Sequence, residues 1–564
     1  MEKFIQENPV LTDNQYDTDK LLRSVLKRYI PSEYLPEIEK DLHNLGNRVI
    51  SDILAMSIDA EENTPKLVQY SPWGKRIDEI KTTQGWKDLD KVSAEEGLIA
   101  IGYERKYQEF SRLYQFAKLY IFTPSSAIYT CPLAMTDGAT KLIEIHGDDF
   151  LKNNAFKHLT SRDPNYFWTS GQWMTEKTGG SDVGRTETIA KLENGEYKLY
   201  GDKWFTSSTT SQMSFTLARI VDENGDFING SRGLSLFYLE TRKENGELNN
   251  ITINRLKDKL GTKALPTAEL TLNGTKAYLT GSIGSGIKNI ASLFNVTRIY
   301  NAVTSVSFMR RGINLSKNYA KKRQAFGKLL AEQPLHINTL ADLEVDTHSA
   351  FHLVFYAVLL LGKEECGKAT SDEIACLRAL TPLIKLYTGK KCVSCASEIL
   401  ESFGGAGYVE DTGLPKILRD SQVLTIWEGT TNILSLDLLR SIQKEKTLEP
   451  LLKNVYSRLE SINHEKLLDS KNKATNALNE IKKYLKIAST KDSDFWETSA
   501  RSFAYSLSNI FSASLLLEHA QWSFENEKEE LYFIVAKRFC NTNLAPLIYP
   551  EDDFRAENNI LFLD

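Results

Sequence analysis

The heptapeptide Ile426-Trp-Glu-Gly-Thr-Thr-Asn432 places an acidic residue between a tryptophan and a Gly-Thr pair. Glu428 is the candidate general base. An aromatic neighbour lowers the local dielectric constant and so raises the pKa of a carboxyl group toward neutrality, while Gly429 lets a ligand approach the backbone closely. The alternative is a solvated glutamate in a loop before a helix, so the decision rests on other stretches of the sequence.

Length, composition and charge limit the classes of protein to which the chain can belong. The chain has 564 residues, more than a single hydrophobic core serves, which predicts three or four domains or subdomains. With 41% hydrophobic and 25% charged residues, it has the composition of an ordinary globular protein. The net charge of -5 gives no bulk attraction for nucleic acid or anionic membrane.

The cysteines indicate a reducing compartment. Six cysteines are too few and too scattered for a disulfide framework, so we expect a cytoplasmic location. Cys392 and Cys395 form a C-x-x-C pair, but a zinc site needs a second pair, which the sequence lacks. We therefore expect both to be small buried residues of a helix, and we expect no metal site.

Neither the first residues nor the apolar runs suggest a membrane protein. Residues 1–13 are polar and acidic and lack the apolar segment of a signal peptide. The longest apolar run, Phe351 to Leu361, is shorter than the roughly 20 residues that span a bilayer. We expect a buried helix there and no membrane span.

Hydrophobic periodicity predicts an α+β fold that begins with an N-terminal helical domain, residues 1–165. Apolar residues recur at helical spacing in 38–56 and 98–120. The intervening stretches 64–75 and 123–140 are rich in polar and turn-forming residues, and both are predicted to be loops.

The rest of the chain is predicted to form three further regions. Residues 166–282 alternate apolar and polar positions between Asn-Gly turns such as 194–195, which predicts a central antiparallel β-domain. Long amphipathic runs in 283–440 predict a four-helix-bundle-like domain. Residues 441–564 are predicted to be a C-terminal helical extension.

A glycine-rich loop, Met174-Thr-Glu-Lys-Thr-Gly-Gly-Ser-Asp-Val183, opens the predicted β-domain. Gly179 and Gly180 permit tight backbone, and Thr175 and Ser181 add hydroxyl groups. Such a nest of amides suits a phosphate, a carbonyl or a ring nitrogen. The alternative is an ordinary turn.

The next candidate is Trp204-Phe205-Thr206, on a predicted strand. Adjacent side chains of a strand point to opposite faces, so one aromatic ring can pack in the core while the other faces a ligand. The alternative is that both rings pack in the core.

Two further stretches could bind a diphosphate. Three glycines in four positions of Glu401-Ser-Phe-Gly-Gly-Ala-Gly-Tyr408 exceed what a helix C-cap needs, which favours close approach of a ligand. The basic segment Tyr319-Ala-Lys-Lys-Arg-Gln-Ala-Phe-Gly327 either complements a helix dipole or aims the planar fork of Arg323 at a diphosphate.

Five stretches, taken in their order and spacing, resemble the acyl-CoA dehydrogenase flavoprotein family over about residues 50–440. They are 174–183, 204–206, 323–327, 404–408 and 427–430. Four features resemble one branch of that family, the AidB-like, alkylation-response branch. They are the form of the 174–183 loop, the segments Gly74-Lys-Arg-Ile-Asp78 and Arg255-Leu-Lys-Asp-Lys-Leu-Gly261, and the extra helical C-terminus.

The resemblance implies a helical domain, a β-domain and a helical bundle, with the cofactor FAD between the last two. Glu428 then matches the catalytic base that removes the α-proton of an acyl-CoA while the β-hydride passes to flavin N5. A developing enolate needs hydrogen bonds at its carbonyl oxygen, and the family supplies them from a backbone N–H at the Glu428 position and a flavin ribityl hydroxyl.

The resemblance also assigns the other site residues. The positions that match flavin contacts are Met174, Thr175, Gly180, Ser181, Trp204, Phe205, Thr206, Arg323, Phe326, Gly404, Gly405, Trp427, Gly429, Thr430 and Asn432. Positions near the substrate are matched by Ser181, Arg298 and Arg440. Because family members share this site between subunits, the resemblance implies a homo-oligomer, usually a tetramer. The usual electron acceptor of the family is an electron-transfer flavoprotein.

Two other functions stay open. A DNA-protective flavoprotein of the AidB-like type, with vestigial dehydrogenase activity, needs a basic surface, whereas residues 441–564 hold 16 basic and 19 acidic residues. DNA binding is therefore not expected. A protein that sequesters acyl-CoA or fatty acid would need no base, so Glu428 argues against it. The sequence sets neither the acyl chain length or branching nor the acceptor, which could also be O₂.

Overall fold

The computed structural model describes residues 9–551 and 553–563. Residues 1–8, on which the expected lack of a signal peptide mostly depends, lie outside the described part. The chain forms two compact units. Unit 1 consists of Met1–Leu11, Lys20–Ser32 and Phe308–Asp564, and unit 2 of Thr12–Asp19 and Glu33–Ser307.

The first 165 residues are mainly helical. Their elements are α1 (Lys20–Tyr29), α2 (Leu35–Arg48), α3 (Asp52–Glu62), β1 (Lys66–Tyr70), β2 (Arg76–Lys81), α4 (Gln84–Glu95), α5 (Ala100–Glu104), α6 (Ser111–Phe122), α7 (Thr130–His146), α8 (Asp149–Asn153) and α9 (Ala155–Leu159). Helix α1 belongs to unit 1 and the others to unit 2.

Residues 64–75 were predicted to be a loop, and this is wrong. They contain β1, which pairs with β2 in an antiparallel hairpin. Leu67 and Ile80 pack against the core of the β-domain, and polar contacts to strand residue Ile253 also hold the hairpin, so hydrophobic alternation in its sequence is weak. The Asp78 carboxylate accepts a hydrogen bond from the N–H of Ile253 at 3.0 Å, and the guanidinium of Arg76 donates one to the carbonyl of Ile253 at 3.1 Å.

The loop predicted for residues 123–140 is wrong over its second half, which belongs to α7. Small and hydroxyl residues gave this stretch the composition of a loop. In the helix, Thr136 and Thr140 donate their hydroxyls to the carbonyls four residues earlier, both at 2.7 Å. This bond satisfies a buried hydroxyl without any partner outside the helix.

Seven strands form the β-domain of unit 2. They are β3 (Ser170–Trp173), β4 (Ile189–Glu193), β5 (Glu196–Ser207), β6 (Met213–Ile220), β7 (Leu234–Glu240), β8 (Ile251–Leu256) and β9 (Thr267–Thr280). The sheet order is β3-β6-β4-β5-β9-β7, with β8 on β9, and β7 also pairs with β6. The sheet therefore closes on itself.

The pairing is mainly antiparallel, as predicted, except that β6 runs parallel to β3 and to β4. The predicted Asn194-Gly195 turn joins β4 to β5, and both residues have positive φ, 53° and 82°. These values are typical of a type I′ hairpin turn, whose twist matches that of the flanking strands.

Long helices follow, joined by one short hairpin. The elements are α10 (Gly286–Ala320), β10 (Gln324–Ala325), β11 (Lys328–Leu329), α11 (Pro334–Glu365), α12 (Ser371–Ser402), α13 (Pro415–Val423) and α14 (Thr431–Glu445). The boundary between the two units falls within α10. Cys392 and Cys395 are buried in α12 with free thiols, as the sequence predicted.

The C-terminal elements are α15 (Leu448–Ser461), α16 (Leu468–Ala488), α17 (Ser493–Glu527), α18 (Leu531–Cys540) and α19 (Phe554–Leu563). Helix α17 packs against α11, α12 and α14 as well as α15, α16 and α18. A helix covered on so many sides needs small residues, and several buried serines of α17 donate their hydroxyls to its own carbonyls, as Ser506 does to Ser502 at 2.8 Å. The C-terminal extension and the bundle therefore share one core.

Helix α11 is long and apolar enough to cross a membrane by length and composition. However, 94% of its most apolar 18-residue stretch is buried inside the protein. This burial is typical of a core helix and agrees with the buried helix predicted around Phe351 to Leu361.

Three buried histidines lie in the seam between α11 and α17. His348 and His352 are one turn apart on α11, and the ring of His352 lies 4.4 Å from that of His519 on α17. Burial, together with the nearby cation Arg310, lowers the pKa of His348 to about 3. Burial also holds the pKa values of His352 and His519 well below their usual range, and Arg28 contributes.

These histidines predict acid sensitivity. Each is neutral in the folded state and regains a pKa near 6.5 on unfolding, so the unfolded chain binds more protons and stability falls as pH drops below about 6.5. The loss is about 1.4 kcal/mol per pH unit for each histidine. We expect urea-unfolding free energies measured at pH 7.5, 6.5 and 5.5 to show this slope below pH 6.5.

The variant His352→Phe should reduce the slope by about one third, because one of three linked protons is removed. His43→Gln is the matched control, since His43 is half exposed on the surface of unit 2. An unchanged slope in His352→Phe would contradict the assignment. The nearby carboxyl of Glu344 does not interfere, because Arg310 and Lys317 outweigh its burial and hold its pKa at about 2.

Candidate functional site

The predicted flavin loop starts directly after β3. Met174 is buried and Thr175 half-buried, and the carbonyl of Thr175 accepts a hydrogen bond from the N–H of Trp204 at 2.9 Å. A Cβ on Gly180 would lie 2.9 Å from the hydroxyl of Thr175, so only glycine fits there without a shift. The structure thus brings Thr175, Gly180 and Trp204 together, with Ser181 exposed beside them.

The two aromatic residues of β5 do not both pack in the core. Trp204 is half-buried and Phe205 is 51% exposed. The ammonium group of Lys257 lies 3.4 Å from the centroid of the Trp204 ring and 4.5 Å from that of Phe205, a cation–π arrangement. Thr206 is fully buried and donates its hydroxyl to the carbonyl of Ala268 at 2.8 Å.

A buried ion pair lies beneath this loop. Lys203 is fully buried, and its ammonium group lies 2.6 Å from the carboxylate of Glu176, inside the loop. The same carboxylate accepts hydrogen bonds from the N–H of Glu187 at 2.6 Å and the hydroxyl of Thr188 at 2.6 Å. Burial alone would raise the pKa of Glu176, but Lys203 and these donors outweigh it and lower that pKa. The pair therefore ties the loop to β5 and to the start of β4.

The candidate base lies in the turn that connects α13 to α14. Glu428 has a φ of 58° and Gly429 a φ of 108°, both in the left-handed region. For a residue with a side chain this conformation costs about 1–2 kcal/mol. The N–H of Trp427 bonds to the carbonyl of Val423 at 2.9 Å, and the buried Lys385 donates to the carbonyl of Gly429 at 2.5 Å. The side chains of Trp427 and Glu428 are half-buried.

The glycine-rich turn after α12 has room for a ligand. Gly404 is required by its φ of 61°, and Gly407 by the carbonyl of Leu400, which an added Cβ would meet at 2.0 Å. Neither a positive φ nor a close neighbour requires glycine at position 405, since a Cβ there would meet nothing within 4 Å. Open space therefore lies where its side chain would be.

The basic segment after α10 forms the β10–β11 hairpin. Phe326, at its tip, is 99% exposed and has a φ of 50°. The carbonyl of Arg323 accepts a hydrogen bond from the N–H of Leu330 at 2.9 Å, so the base of the hairpin is closed and its tip projects.

The remaining predicted residues are distributed over both units. Arg298 is half-buried on the part of α10 that belongs to unit 2, whereas Arg440 is exposed on α14 of unit 1. Thr430 precedes α14 and Asn432 lies in its first turn, both exposed. The structure therefore groups residues 174–206 within unit 2 and residues 427–432 within unit 1.

Sequence reasoning missed four residues that support these groups: Glu176, Lys203, Lys257 and Lys385. A signal for Lys385 was present, because a lysine inside the apolar run Leu383-Ile-Lys-Leu-Tyr387 must find a buried partner. Glu176 and Lys257 lay within stretches already singled out. Their roles depend on partners distant in sequence, which no local pattern reveals.

Comparison with known protein families covers nearly the whole chain. The acyl-CoA dehydrogenase middle domain matches residues 171–281 and the acyl-CoA dehydrogenase C-terminal domain matches 284–443. The N-terminal domain of the adaptive response protein AidB matches 6–163, and the acyl-CoA dehydrogenase 11 C-terminal domain-like family matches 446–560. Acyl-CoA dehydrogenase family member 11 of Caenorhabditis elegans is 43% identical over 99% of this chain and 93% of its own length.

The chain belongs to the acyl-CoA dehydrogenase family. This acyl-CoA dehydrogenase is also 29% identical to the putative acyl-CoA dehydrogenase AidB of Escherichia coli, over 80% of this chain and 82% of that protein. The crystal structure of Caenorhabditis elegans ACDH-11 in complex with C11-CoA superposes with a TM-score of 0.96 at 42% identity, covering 100% of this chain and 97% of that one.

Family membership confirms the predicted AidB-like branch, the fold class, the oxidoreductase class and FAD as the cofactor. The fold of this acyl-CoA dehydrogenase is also that of the enzyme complexed with FAD from Bacillus anthracis, with a TM-score of 0.75 at 19% identity over 98% of this chain and 95% of that one.

The buried pair beneath the predicted flavin loop yields a prediction for this enzyme. Lys203→Met leaves the Glu176 carboxylate buried without its cation and should cost about 3–5 kcal/mol of unfolding free energy. Adding Glu176→Gln, which keeps an acceptor for Glu187 and Thr188, should recover most of that loss, because no unpaired charge remains.

Thermal and urea unfolding of both variants test this prediction, with Lys198→Met as the matched control. Lys198 lies on the same strand but is partly exposed and paired with Glu193. If Lys203→Met and Lys198→Met lose equal stability, burial of the pair is not what holds the loop.

Proposed function

We propose that this enzyme desaturates the Cα–Cβ bond of an acyl-CoA thioester, with Glu428 as the base that removes the α-proton. The observation that carries the proposal is the left-handed conformation of Glu428, held half-buried next to Gly429. Strained backbone at a residue with a side chain concentrates at functional sites, and a solvated loop glutamate has no need of it.

Glu428 has two tasks in this reaction. The carboxylate of Glu428 takes the α-proton, and the electron pair of that C–H bond moves toward the thioester and then forms the Cα=Cβ bond. The hydrogen on Cβ leaves with its electron pair, and bound FAD supplies the acceptor for this hydride. We assign the peptide N–H of Glu428 to the thioester oxygen, where negative charge develops.

Several features of the described residues fit FAD. Gly405 lacks a side chain where nothing in the chain requires its absence, and Gly180 keeps the loop beside Thr175 free of bulk. The exposed edge formed by Trp204 and Phe205 offers aromatic surface for a ring system. Arg323 provides a planar guanidinium for a diphosphate, and the projecting Phe326 suits contact with a second subunit.

A relative supports a substrate class, and the resemblance to the family supports the partners. Since the Caenorhabditis elegans protein was solved with C11-CoA, we propose an acyl chain of about this length. We further propose a cytoplasmic homotetramer that delivers its electrons to an electron-transfer flavoprotein. DNA is not among the proposed partners, because residues 441–564 carry a net acidic charge.

The decisive experiment is anaerobic titration of the purified yellow protein with acyl-CoA esters of 4 to about 18 carbons, following flavin absorbance. Wild type should bleach, most completely near the chain length of C11-CoA. Glu428→Gln should bind the ester but bleach at least about 1000-fold more slowly, because an amide cannot accept the proton. Glu497→Gln is the control, an exposed acidic residue of α17 outside every candidate site.

Other results would decide against the proposal. If esters bind without bleaching the wild-type flavin, the protein sequesters acyl-CoA instead of oxidising it. If Glu428→Gln bleaches as fast as wild type, another residue is the base.

A further inference from the structure

We infer that Lys385 is a positioning residue that holds the Glu428 turn in its left-handed shape, an inference that rests on the proposed role of Glu428. Lys385 lies in the middle of α12, is fully buried, and donates a hydrogen bond from its ammonium group to the carbonyl of Gly429 at 2.5 Å. Lys385 therefore holds the Gly429–Thr430 peptide, which directly follows Glu428 and Gly429.

The surroundings of Lys385 show that its position is costly. The neighbouring residues Leu383, Ile384 and Leu386 are all buried and apolar. Removing an ammonium group from water carries a penalty of several kcal/mol unless charge and hydrogen bonds compensate it. A methionine of similar shape would suit this run without that penalty. We attribute the presence of lysine to the hydrogen bond that its ammonium group donates to the carbonyl of Gly429.

A second residue on the same face of α12 supports the other end of the turn. Gly389 follows Lys385 by one helical turn, so the two lie on one face. A Cβ on Gly389 would lie 2.8 Å from the carbonyl oxygen of Leu424, which means that the chain before Glu428 rests directly on the helix backbone. Between them, Gly389 and Lys385 support the chain from Leu424 to Gly429.

This support opposes a definite strain. The left-handed φ of 58° at Glu428 costs about 1–2 kcal/mol, and such conformations persist only where the surroundings enforce them. Without the Lys385 bond, the peptide after Gly429 is free to rotate and the turn can relax. The Glu428 carboxylate would then move away from the position that proton removal requires, while binding surfaces elsewhere stay intact.

The test compares Lys385→Met, which removes the donor, with Lys385→Gln, which keeps a shorter one. Lys391→Met is the matched control, because Lys391 lies on the same helix and pairs with Asp346 away from the turn. The measurements are FAD affinity, affinity for a non-reducible 3-thia-acyl-CoA, the rate of anaerobic flavin bleaching in stopped flow, and exchange of the ligand's α-protons with deuterated solvent.

We expect Lys385→Met to slow bleaching and α-proton exchange about 10- to 100-fold, the usual effect of misplacing a reacting group by about 1 Å. Both affinities should stay within about twofold of wild type. Lys385→Gln should recover part of the rate, and Lys391→Met should match wild type.

Three outcomes would overturn the inference. One is a Lys385→Met rate equal to that of wild type. Another is a loss of ligand and FAD affinity that parallels the loss of rate, which indicates a general structural role. The third is a Lys391→Met defect as large as that of Lys385→Met.

Two safeguards keep the result decisive. If Lys385→Met does not fold, Lys385→Gln takes its place, since its shorter, uncharged amide also weakens the bond to the Gly429 carbonyl. Slowed bleaching with normal affinities then supports the inference, and an unchanged rate overturns it. If the wild-type flavin itself does not bleach, the proposed function fails and the inference fails with it. Failure of the inference alone requires a wild type that bleaches.

Discussion

A fully buried ammonium group, that of Lys203, is the constraint around which the β-domain is arranged. A charge removed from water must be matched by an opposite charge and by hydrogen bonds, and Glu176 supplies the first while Glu187 and Thr188 satisfy its remaining oxygen lone pairs. Because Glu176 belongs to the loop that follows β3, this requirement fixes a segment whose glycines would otherwise leave it many conformations.

The same principle recurs in the helical unit. Lys385 is buried in the middle of α12 and finds a backbone carbonyl in the turn that carries Glu428. In both places a rigid element, a strand or a helix, projects a lysine beneath a glycine-containing turn. The exposed side of each turn is thus left open, while a buried lysine contacts the turn from the other side.

The C-terminal extension gives unit 1 a core that an isolated bundle would lack. Helix α17 is covered by six helices, three from the bundle and three from the extension. This coverage buries the histidines of α11 and α17 and depresses their pKa values. The extension is therefore part of the folded body that carries the Glu428 turn, in keeping with its own match to a C-terminal domain of the ACDH-11 type.

Much of the fold could be predicted from the sequence because periodicity is a local signal. The long runs that became α10, α11 and α12 were visible as helices, and the Asn194-Gly195 turn was visible as a hairpin. The failures have one cause: the β1–β2 hairpin and the first half of α7 look like loops because their polar groups are satisfied by partners that composition does not reveal.

The sequence by itself determined the family, the order of the domains and the candidate residues of the proposed site, because short motifs in fixed order identify a shared ancestor. Only the tertiary structure decided which residues hold that site in shape. Lys203 meets Glu176 across 27 positions, and Lys385 meets Gly429 across 44. Such pairs depend on how strands and helices pack, and packing is a property of the whole chain that no local stretch contains.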